Sequence, residues 1–255
     1  MTHIISIINQ KGGVGKSTVS INLSYGLSMK NKKVLLIDLD PQSHSGSLYC
    51  SIPNIEKTIC EIFLNKKTHM NDIISPAILK DSQVDNLYVI PSHIKLATAI
   101  EKISGTLYRE RILKLRIDQV KDKFDYIILD CPPTLGILAI NAIYTSNNII
   151  IPTNFGKSSL DGMADLLEAI QEIKEGHKYK YFILKNLYEK SNSQTNKYIN
   201  DQLSLLKDYT FTTTIRKNEA INQAQINNLP IQLYSPGAKG AQDYSLFIEE
   251  VVHYV

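Results

Sequence analysis

The sequence predicts a doubly wound α/β fold, in which a twisted, mostly parallel β-sheet is flanked by helices. Apolar runs of strand length alternate with helix-length amphipathic segments along all 255 residues. Several runs are almost continuous Val, Ile and Leu, which is typical of strands buried on both faces of a parallel sheet. No internal repeat and no linker rich in Pro, Gly or Ser interrupts the alternation. We therefore expect residues 1–255 to form a single domain.

The individual elements follow from the spacing of apolar residues. The aliphatic runs predict six strands and a weaker seventh, at 3–9, 33–40, 86–92, 125–130, 147–153, 180–187 and 209–215. Apolar residues at helical spacing predict helices at 16–30, 103–122, 136–146, 158–174, 194–206 and 239–253. Strand and helix alternate almost throughout, as a parallel sheet with helical crossovers requires.

The bulk composition excludes several classes of protein. The chain is 43% hydrophobic and 21% charged, as in ordinary globular proteins. Its net charge is only +3, so composition alone does not indicate nucleic-acid binding. Three cysteines without metal-binding spacing predict no disulfide framework, and we expect a reduced, cytoplasmic environment. No signal peptide precedes the first expected strand, and no apolar run approaches the roughly 20 residues of a membrane helix.

The segment NQKGGVGKST, at 9–18, lies between the first expected strand and the first expected helix. Its final Gly15-Lys16-Ser17 matches the end of the phosphate-loop pattern G-x-x-x-x-G-K-[ST]. Backbone N–H groups of such a turn bind anions, and Lys16 would reach the β- and γ-phosphates of a nucleotide. Ser17 would offer its hydroxyl to Mg²⁺. The predicted nucleotide-binding residues are Lys11, Gly12, Gly13, Val14, Gly15, Lys16, Ser17 and Thr18.

Acidic residues follow two other expected strands. Asp38 and Asp40 end the strand at 33–40, and Asp130 ends the strand at 125–130. Ligands of open α/β sheets bind at the carboxyl ends of strands, where the phosphate loop also lies. Carboxylates there can hold Mg²⁺ through water and orient an attacking water. An acid that ends an apolar strand, as Asp130 does, is the Walker B arrangement that supports Mg²⁺.

The loop KGGVGKST, in which Gln10 replaces the first glycine of the general pattern, resembles the deviant phosphate loop of the ParA/MinD ATPases. The resemblance implies that Lys11 reaches across a homodimer interface to the phosphates of the nucleotide in the other subunit. The segment DLDPQ resembles the DxDPQ motif of the same group. It implies that Asp40 activates water and that Asp38 supports the metal. The implied cofactors are ATP and Mg²⁺, and the implied activity is slow ATP hydrolysis.

The resemblance covers most of the chain. DCPPTLG, at 130–136, is similar to the Walker B region of these ATPases. Residues 151–167 resemble a segment that follows it in the family, but residues 155–158 of this chain differ from the residues usual there. The run at 214–244 resembles a C-terminal segment that borders the adenine, which implies nucleotide contact by Asn218. The chain resembles the short, ParA/Soj-type partition ATPases that lack an N-terminal helix-turn-helix.

Two functions remain open for such an ATPase. In the first, an ATP-bound dimer binds double-stranded DNA without sequence preference, and a ParB-like protein stimulates hydrolysis and release from the nucleoid. Such binding needs a basic surface, for which we favour Arg216 and Lys217 among the basic residues after 170. In the second, a MinD-like ATPase cycles on a membrane. The C-terminal segment DYSLFIEEVVHYV contains no Lys or Arg, so it lacks the basic amphipathic pattern that membrane binding needs. A redox or synthetase role would require cluster cysteines or a substrate pocket that the sequence does not indicate.

Overall fold

The computed structural model describes residues 1–50, 55–154 and 157–255, and for residues 55 and 157–161 it describes the backbone alone. Eight strands form one sheet in the order β3-β4-β2-β5-β1-β6-β7-β8. The strands are β1 (His3–Ile7), β2 (Val34–Asp38), β3 (Ser75–Leu79), β4 (Ser82–Ile90), β5 (Tyr126–Asp130), β6 (Asn148–Thr153), β7 (Lys180–Tyr188) and β8 (Thr210–Arg216). Every neighbouring pair is parallel except β3 and β4, which are antiparallel.

Helices lie between the strands along the chain. They are α1 (Lys16–Met29), α2 (His44–Tyr49), α3 (Cys60–Leu64), α4 (Leu96–Lys102), α5 (Ile112–Ile117), α6 (Ile137–Thr145), α7 (Lys157–Ile173), α8 (Ser193–Leu203), α9 (Glu219–Ile226), α10 (Ile231–Tyr234) and α11 (Lys239–Tyr254). Short 3₁₀ helices occur at Ile55–Lys57, Met70–Ile73, Arg109–Arg111, Lys121–Lys123 and Ser204–Tyr209.

Both faces of the sheet are covered by apolar side chains. In β2, Leu35 and Ile37 join one core cluster, whereas Val34 and Leu36 join the other. Helices α1 and α11 contribute to the second cluster, and α5 and α6 contribute to the first. The double burial explains the continuous aliphatic runs of the strands, and it confirms the doubly wound α/β prediction. That residues 1–255 form a single domain stays a prediction.

The seven predicted strands are all present, with ends that differ by a few residues. The edge strand β3 was missed, because its alternating burial and Pro76 are weak strand signals that only an edge position tolerates. The predicted helix at 103–122 was wrong: only α5 is α-helical there, and α4 precedes it. The poor helix formers Ser104-Gly105-Thr106 interrupt it, and Tyr108 has a left-handed φ of 58°. Residues 155–158, which differ from the usual residues of the family, lie outside the residues whose side chains are described.

The order of the strands brings three of their carboxyl ends together. In the parallel register, Ile7 of β1 is opposite Asp130 of β5, which is also opposite Asp38 of β2. The phosphate loop leaves β1 at the same edge of the sheet. The predicted nucleotide and acidic residues therefore meet at one place.

Candidate functional site

A cavity of about 530 Å³ opens at this carboxyl edge of the sheet. Its walls come from the phosphate loop, the segment after β2, the turn after β5 and the end of α9. The lining residues are Gly12, Gly13, Gly15, Lys16, Ser17, Thr18, Ile21, Asp40, Gln42, His44, Leu48, Pro133, Gln225 and Asn228. Val14, by contrast, is completely buried. The volume falls in the range of small-molecule and cofactor sites.

The phosphate loop turns sharply before α1. Gly13 has a φ of 73° and Gly15 a φ of 89°, values in the left-handed region that favours glycine. Gly15 is the N-cap of α1, and no side chain caps the helix. Because a glycine N-cap has no side chain, it leaves the N–H groups of the first helical turn to other acceptors, and the positive end of the helix dipole lies at the cavity. This arrangement suits an anionic ligand.

Two lysines of the loop are held in different ways. Lys16 is 7% exposed, and its Nζ donates to the carbonyl of Lys11 at 3.1 Å. Burial lowers the pKa of Lys16, and the nearby Asp130 carboxylate opposes that shift. Lys11 is half-buried; its N–H donates to Asn9 Oδ1 at 2.9 Å, and its Nζ lies 3.5 Å from Asn154 Oδ1. A phosphate would offer Lys16 a charged acceptor in place of a neutral carbonyl.

Asp38 is fully buried and organises the segment that follows β2. Its Oδ1 accepts the N–H of Asp40 at 2.9 Å. Its Oδ2 accepts the Ser45 hydroxyl at 2.9 Å and the Gly46 N–H at 2.7 Å. Burial and the neighbouring Asp130 raise the pKa of Asp38, and these donors oppose the rise. Both oxygens are engaged by the protein, so the predicted metal-supporting role of Asp38 would act through its neighbours.

Asp130 is equally buried but less satisfied. Its Oδ1 accepts the Ser20 hydroxyl at 3.1 Å, while its Oδ2 has no hydrogen-bond partner among the residues that the structure describes. Burial raises the pKa of Asp130, and the nearby hydroxyls of Ser45, Ser17 and Ser20 oppose the rise. An unpartnered buried carboxylate oxygen is costly unless a ligand reaches it.

This orphaned oxygen fits the predicted magnesium. Mg²⁺ commonly uses one or two carboxylates, waters and substrate phosphates, and does not need an all-protein cage. The described residues contain no group of three or more His, Cys, Asp or Glu that could hold a metal ion alone. Ser17 lines the cavity and lies close enough to Asp130 to affect its pKa. The residues present therefore suit a metal that arrives with a nucleotide.

Asp40 lines the same cavity as the phosphate loop. It is half-buried, and its Oδ1 accepts the Gln42 N–H at 3.0 Å. Its backbone N–H donates one of the three hydrogen bonds that Asp38 accepts. A partly solvated carboxylate on a fixed turn can orient a water molecule.

The three other predicted binding residues, Asn218, Arg216 and Lys217, do not line the cavity. Asn218 caps α9, where its Oδ1 accepts the Ala220 N–H at 2.9 Å. Arg216 binds Asp243 through Nε at 2.9 Å and Nη2 at 2.5 Å. The exposed Lys217 forms an ion pair of 2.8 Å with Glu189. The predicted roles of Asn218, Arg216 and Lys217 stay predictions.

Sequence reasoning missed several residues of the site. Gln225 and Asn228 line the cavity, and Gln225 Nε2 donates to Thr18 Oγ1. No local pattern marks them, because α9 reaches the loop only through the tertiary fold. Asn186 contacts the phosphate loop from β7. The interruption of the apolar run FILKNLY by two polar residues, Lys185 and Asn186, was the signal that could have found it.

A phosphate loop after the first strand, with acids at the ends of two neighbouring strands, defines a P-loop nucleotide-binding protein. A family model described as an AAA domain matches residues 2–183. The sporulation initiation inhibitor protein Soj of Bacillus subtilis (strain 168) is 36% identical over 255 residues, covering 98% of each chain. The chromosome-partitioning ATPase Soj of Treponema pallidum (strain Nichols) is 31% identical, covering 99% of this chain and 98% of its own.

The chain belongs to the ParA/Soj family of partition ATPases, as its sequence motifs predict. A solved structure of the septum site-determining protein MinD from Pyrococcus horikoshii OT3, complexed with Mg-ADP, has a TM-score of 0.78. It is 26% identical, with 98% of this chain and 96% of that one covered. Nucleotide and Mg²⁺ thus bind within this fold family.

Proposed function

We propose that the protein is an ATP-dependent DNA-partition switch, whose ATP-bound homodimer binds DNA without sequence preference and releases it after hydrolysis. One observation carries the proposal: the phosphate loop with its two lysines, the orphaned oxygen of Asp130 and the half-buried Asp40 converge at one edge of the sheet. Phosphate binding, metal binding and water orientation are then available together. The near full-length similarity to Soj proteins supports the biological role.

ATP binding is proposed to replace contacts within the loop. The triphosphate would lie over the N-terminus of α1, where the backbone N–H groups of residues 12–18 and the Lys16 ammonium meet its charge. Gln225 and Asn228 also line the cavity, and Gln225 contacts Thr18, so the base and ribose would lie beside them. Contact of the base by Asn218, through the N-terminus of α9, remains part of the proposal.

Mg²⁺ would be held by Ser17 and, through water, by Asp130, with Asp38 supporting the arrangement. When bound, the ion would neutralise charge on the β- and γ-phosphates. Asp130 Oδ2 would gain the partner that it lacks among the described residues. Asp38 would keep the Asp40 N–H and the first turn of α2 in place.

Hydrolysis is proposed to depend on Asp40. Its carboxylate would orient a water for in-line attack on the γ-phosphorus, so that the bond to the β-phosphate oxygen breaks and ADP and phosphate form. Lys16 of the same subunit and Lys11 of the partner subunit would stabilise the charge that develops on the transferred phosphoryl group. The Lys11 side chain is only half-buried, so it would be able to extend toward a second copy of the chain. We expect slow turnover that a ParB-like activator accelerates.

DNA binding would use exposed basic side chains of the C-terminal part of the chain. The exposed lysines after residue 175 are Lys178, Lys180, Lys190, Lys197, Lys207, Lys217 and Lys239. Lys174 is buried and cannot belong to this surface. Arg216 and Lys217 both pair with a carboxylate, but the partner of Arg216 is the buried Asp243, whereas Lys217 and its partner Glu189 are both exposed. The Lys217 pair is weaker and easier to open, so Lys217 is the better candidate of the two. A dimer presents such a surface twice, which strengthens nonspecific phosphate binding.

The similarity to MinD favours a second candidate, an ATPase that cycles on a membrane. Against it, the apolar face of α11 packs into the protein core through Tyr244, Phe247, Ile248 and Val251. That face is unavailable for insertion into a lipid surface. Among the described residues, none of the helices has the length and apolar character that crossing a membrane requires.

The test combines phosphate release with molar mass. Wild type and Asp40→Ala are measured with ATP, with ADP and without nucleotide, by light scattering after size exclusion. The proposal expects wild type to hydrolyse ATP and Asp40→Ala to accumulate as an ATP-bound dimer. A parallel sedimentation assay with DNA and with anionic lipid vesicles separates the two candidates. A protein that stays monomeric with ATP in Asp40→Ala, or that sediments only with vesicles, contradicts the DNA-switch proposal.

A further inference from the structure

A buried amide of β7 lies directly beneath the phosphate loop. Asn186 is 2% exposed, and its Nδ2 donates to the carbonyl of Val14 at 2.7 Å. Its Oδ1 accepts the N–H of Leu187 at 2.9 Å, so both ends of the amide are engaged. Leu187 has a left-handed φ of 57°. A non-glycine residue adopts such a φ only where its surroundings hold it, and the Leu187 N–H is held by the Asn186 amide.

The contact determines which way one peptide group of the loop faces. A trans peptide is planar, so the carbonyl of Val14 and the N–H of Gly15 point to opposite sides of it. The described residues contain no cis peptide bond. Since the Val14 carbonyl is directed to Asn186, the Gly15 N–H is directed away from Asn186. Gly15 itself lines the 530 Å³ cavity.

We propose that Asn186 is a positioning residue of the ATPase, which orients the Val14–Gly15 peptide so that the Gly15 N–H faces the nucleotide phosphates. The inference rests on the proposed function, because it assumes that the loop binds the β-phosphate. Without the Asn186 donor, the Val14 carbonyl is buried and unsatisfied. A peptide flip would relieve that cost and direct the carbonyl oxygen at the phosphates.

Gly15 and Asn186 are sterically matched. A Cβ added to Gly15 would lie 2.4 Å from Asn186 Nδ2, closer than real contacts allow. The φ of 89° at Gly15 disfavours a side chain independently. Glycine is therefore needed at this position for two reasons: the backbone conformation of the turn and the space that the Asn186 amide fills.

The experiment measures affinities of ADP and AMP together with stability in urea. Asn186→Ala should weaken ADP about tenfold, the effect of one lost hydrogen bond to a buried group. The affinity for AMP should change by less than about twofold, because AMP carries no β-phosphate. Asn186→Asp keeps the size but places an acceptor opposite the Val14 carbonyl. It should lose at least as much ADP affinity as Asn186→Ala.

Asn196 provides the matched control. It is 5% exposed, and its Nδ2 donates to the carbonyl of Glu189 at 2.9 Å. Asn196→Ala should lower stability similarly and leave the ADP affinity within about twofold of wild type. Equal losses for ADP and AMP, equal effects of the two alanine variants on ADP, or an Asn186→Asp protein that binds ADP like wild type would each overturn the inference. A wild-type protein that binds no ADP would instead overturn the proposed function.

Discussion

Asp38 and Asp130 face each other across β2 and β5, and both carboxylates are completely shielded from solvent. They are not equivalent. Asp38 receives three protein donors, whereas one oxygen of Asp130 receives none from the described residues. The same strand register that brings the two acids together thus leaves Asp38 bound to the neighbouring backbone and Asp130 with an oxygen that is open to a ligand.

Substitution of the two acids should separate these roles. Asp130→Asn should raise the Mg²⁺ concentration for half-maximal ATP hydrolysis by at least about tenfold, as loss of an outer metal contact does. Asp38→Asn must turn its amide donor against either the Gly46 N–H or the Asp40 N–H, and in both orientations it disturbs the turn that carries Asp40. It should lower kcat by about 100-fold with little change in the Mg²⁺ requirement. Steady-state kinetics over a Mg²⁺ titration measure both, and identical profiles for the two variants would count against distinct roles.

Substitutions of the two loop lysines should have different effects on nucleotide affinity and on kcat. Lys16→Ala removes the buried ammonium at the phosphate site and should abolish measurable ATP affinity. Lys11→Ala should leave ADP affinity within about threefold and lower kcat by about 100-fold, because its charge acts in the transition state across a dimer. Fluorescent-nucleotide titration and phosphate release distinguish the variants. Full hydrolysis by Lys11→Ala would remove the reason for placing Lys11 at the partner's phosphates.

Lys174 should impose a pH dependence on stability. Its Nζ donates to the carbonyls of Tyr144 and Ser146, and burial lowers its pKa to about 8, from 10.5. Between these values the unfolded chain binds more protons than the folded one, so this group's contribution to stability rises with pH from about 8 to about 10.5. The difference in unfolding free energy between wild type and Lys174→Met isolates the effect, because other groups titrate in both. A difference that is constant over this range would refute it.

Glu250 protects the edge strand β8. Its carboxylate accepts the N–H groups of Thr212 at 2.8 Å and Thr213 at 2.6 Å, which would otherwise be open to another strand. Glu250→Ala should lower the unfolding free energy by about 2 kcal/mol and promote aggregation. The neighbouring Glu249 forms only an exposed ion pair with Lys30. Glu249→Ala should change stability by no more than about 0.5 kcal/mol in the same urea titration.

Substitution of Arg216 should affect mainly stability, whereas substitution of Lys217 should affect mainly DNA binding. Arg216→Ala leaves Asp243, whose side chain is 6% exposed, without its guanidinium partner. It should destabilise the protein by about 1–2 kcal/mol, because the guanidinium is partly solvated and the backbone N–H of residue 216 still binds Asp243. Lys217→Ala should leave stability unchanged and weaken DNA binding in proportion to one lost phosphate contact, with a shallower salt dependence. Unfolding curves and DNA titrations at several salt concentrations test the pair, and a Lys217→Ala protein with unaltered salt dependence would exclude Lys217 from the DNA surface.

The sequence predicted what local chemistry determines and missed what the tertiary fold assembles. The strands that carry Asp38 and Asp130 are continuous apolar runs, and the phosphate loop is a contiguous motif of glycines and lysines, so both were visible in the sequence. Gln225 reaches Thr18 across 207 residues, and no local pattern encodes that meeting. The engagement of Arg216 by Asp243 was equally hidden, since charge alone does not reveal which basic side chains already have partners.

ATP-dependent DNA binding is tested most directly by the anisotropy of a labelled random-sequence DNA duplex, titrated with protein under ATP, ADP and no nucleotide. Asp40→Ala is measured beside wild type at several salt concentrations. We expect the protein to bind DNA with ATP alone, and we expect this binding to persist in Asp40→Ala and to weaken with salt. A protein that binds ATP and yet shows no DNA binding in any nucleotide state would contradict this expectation.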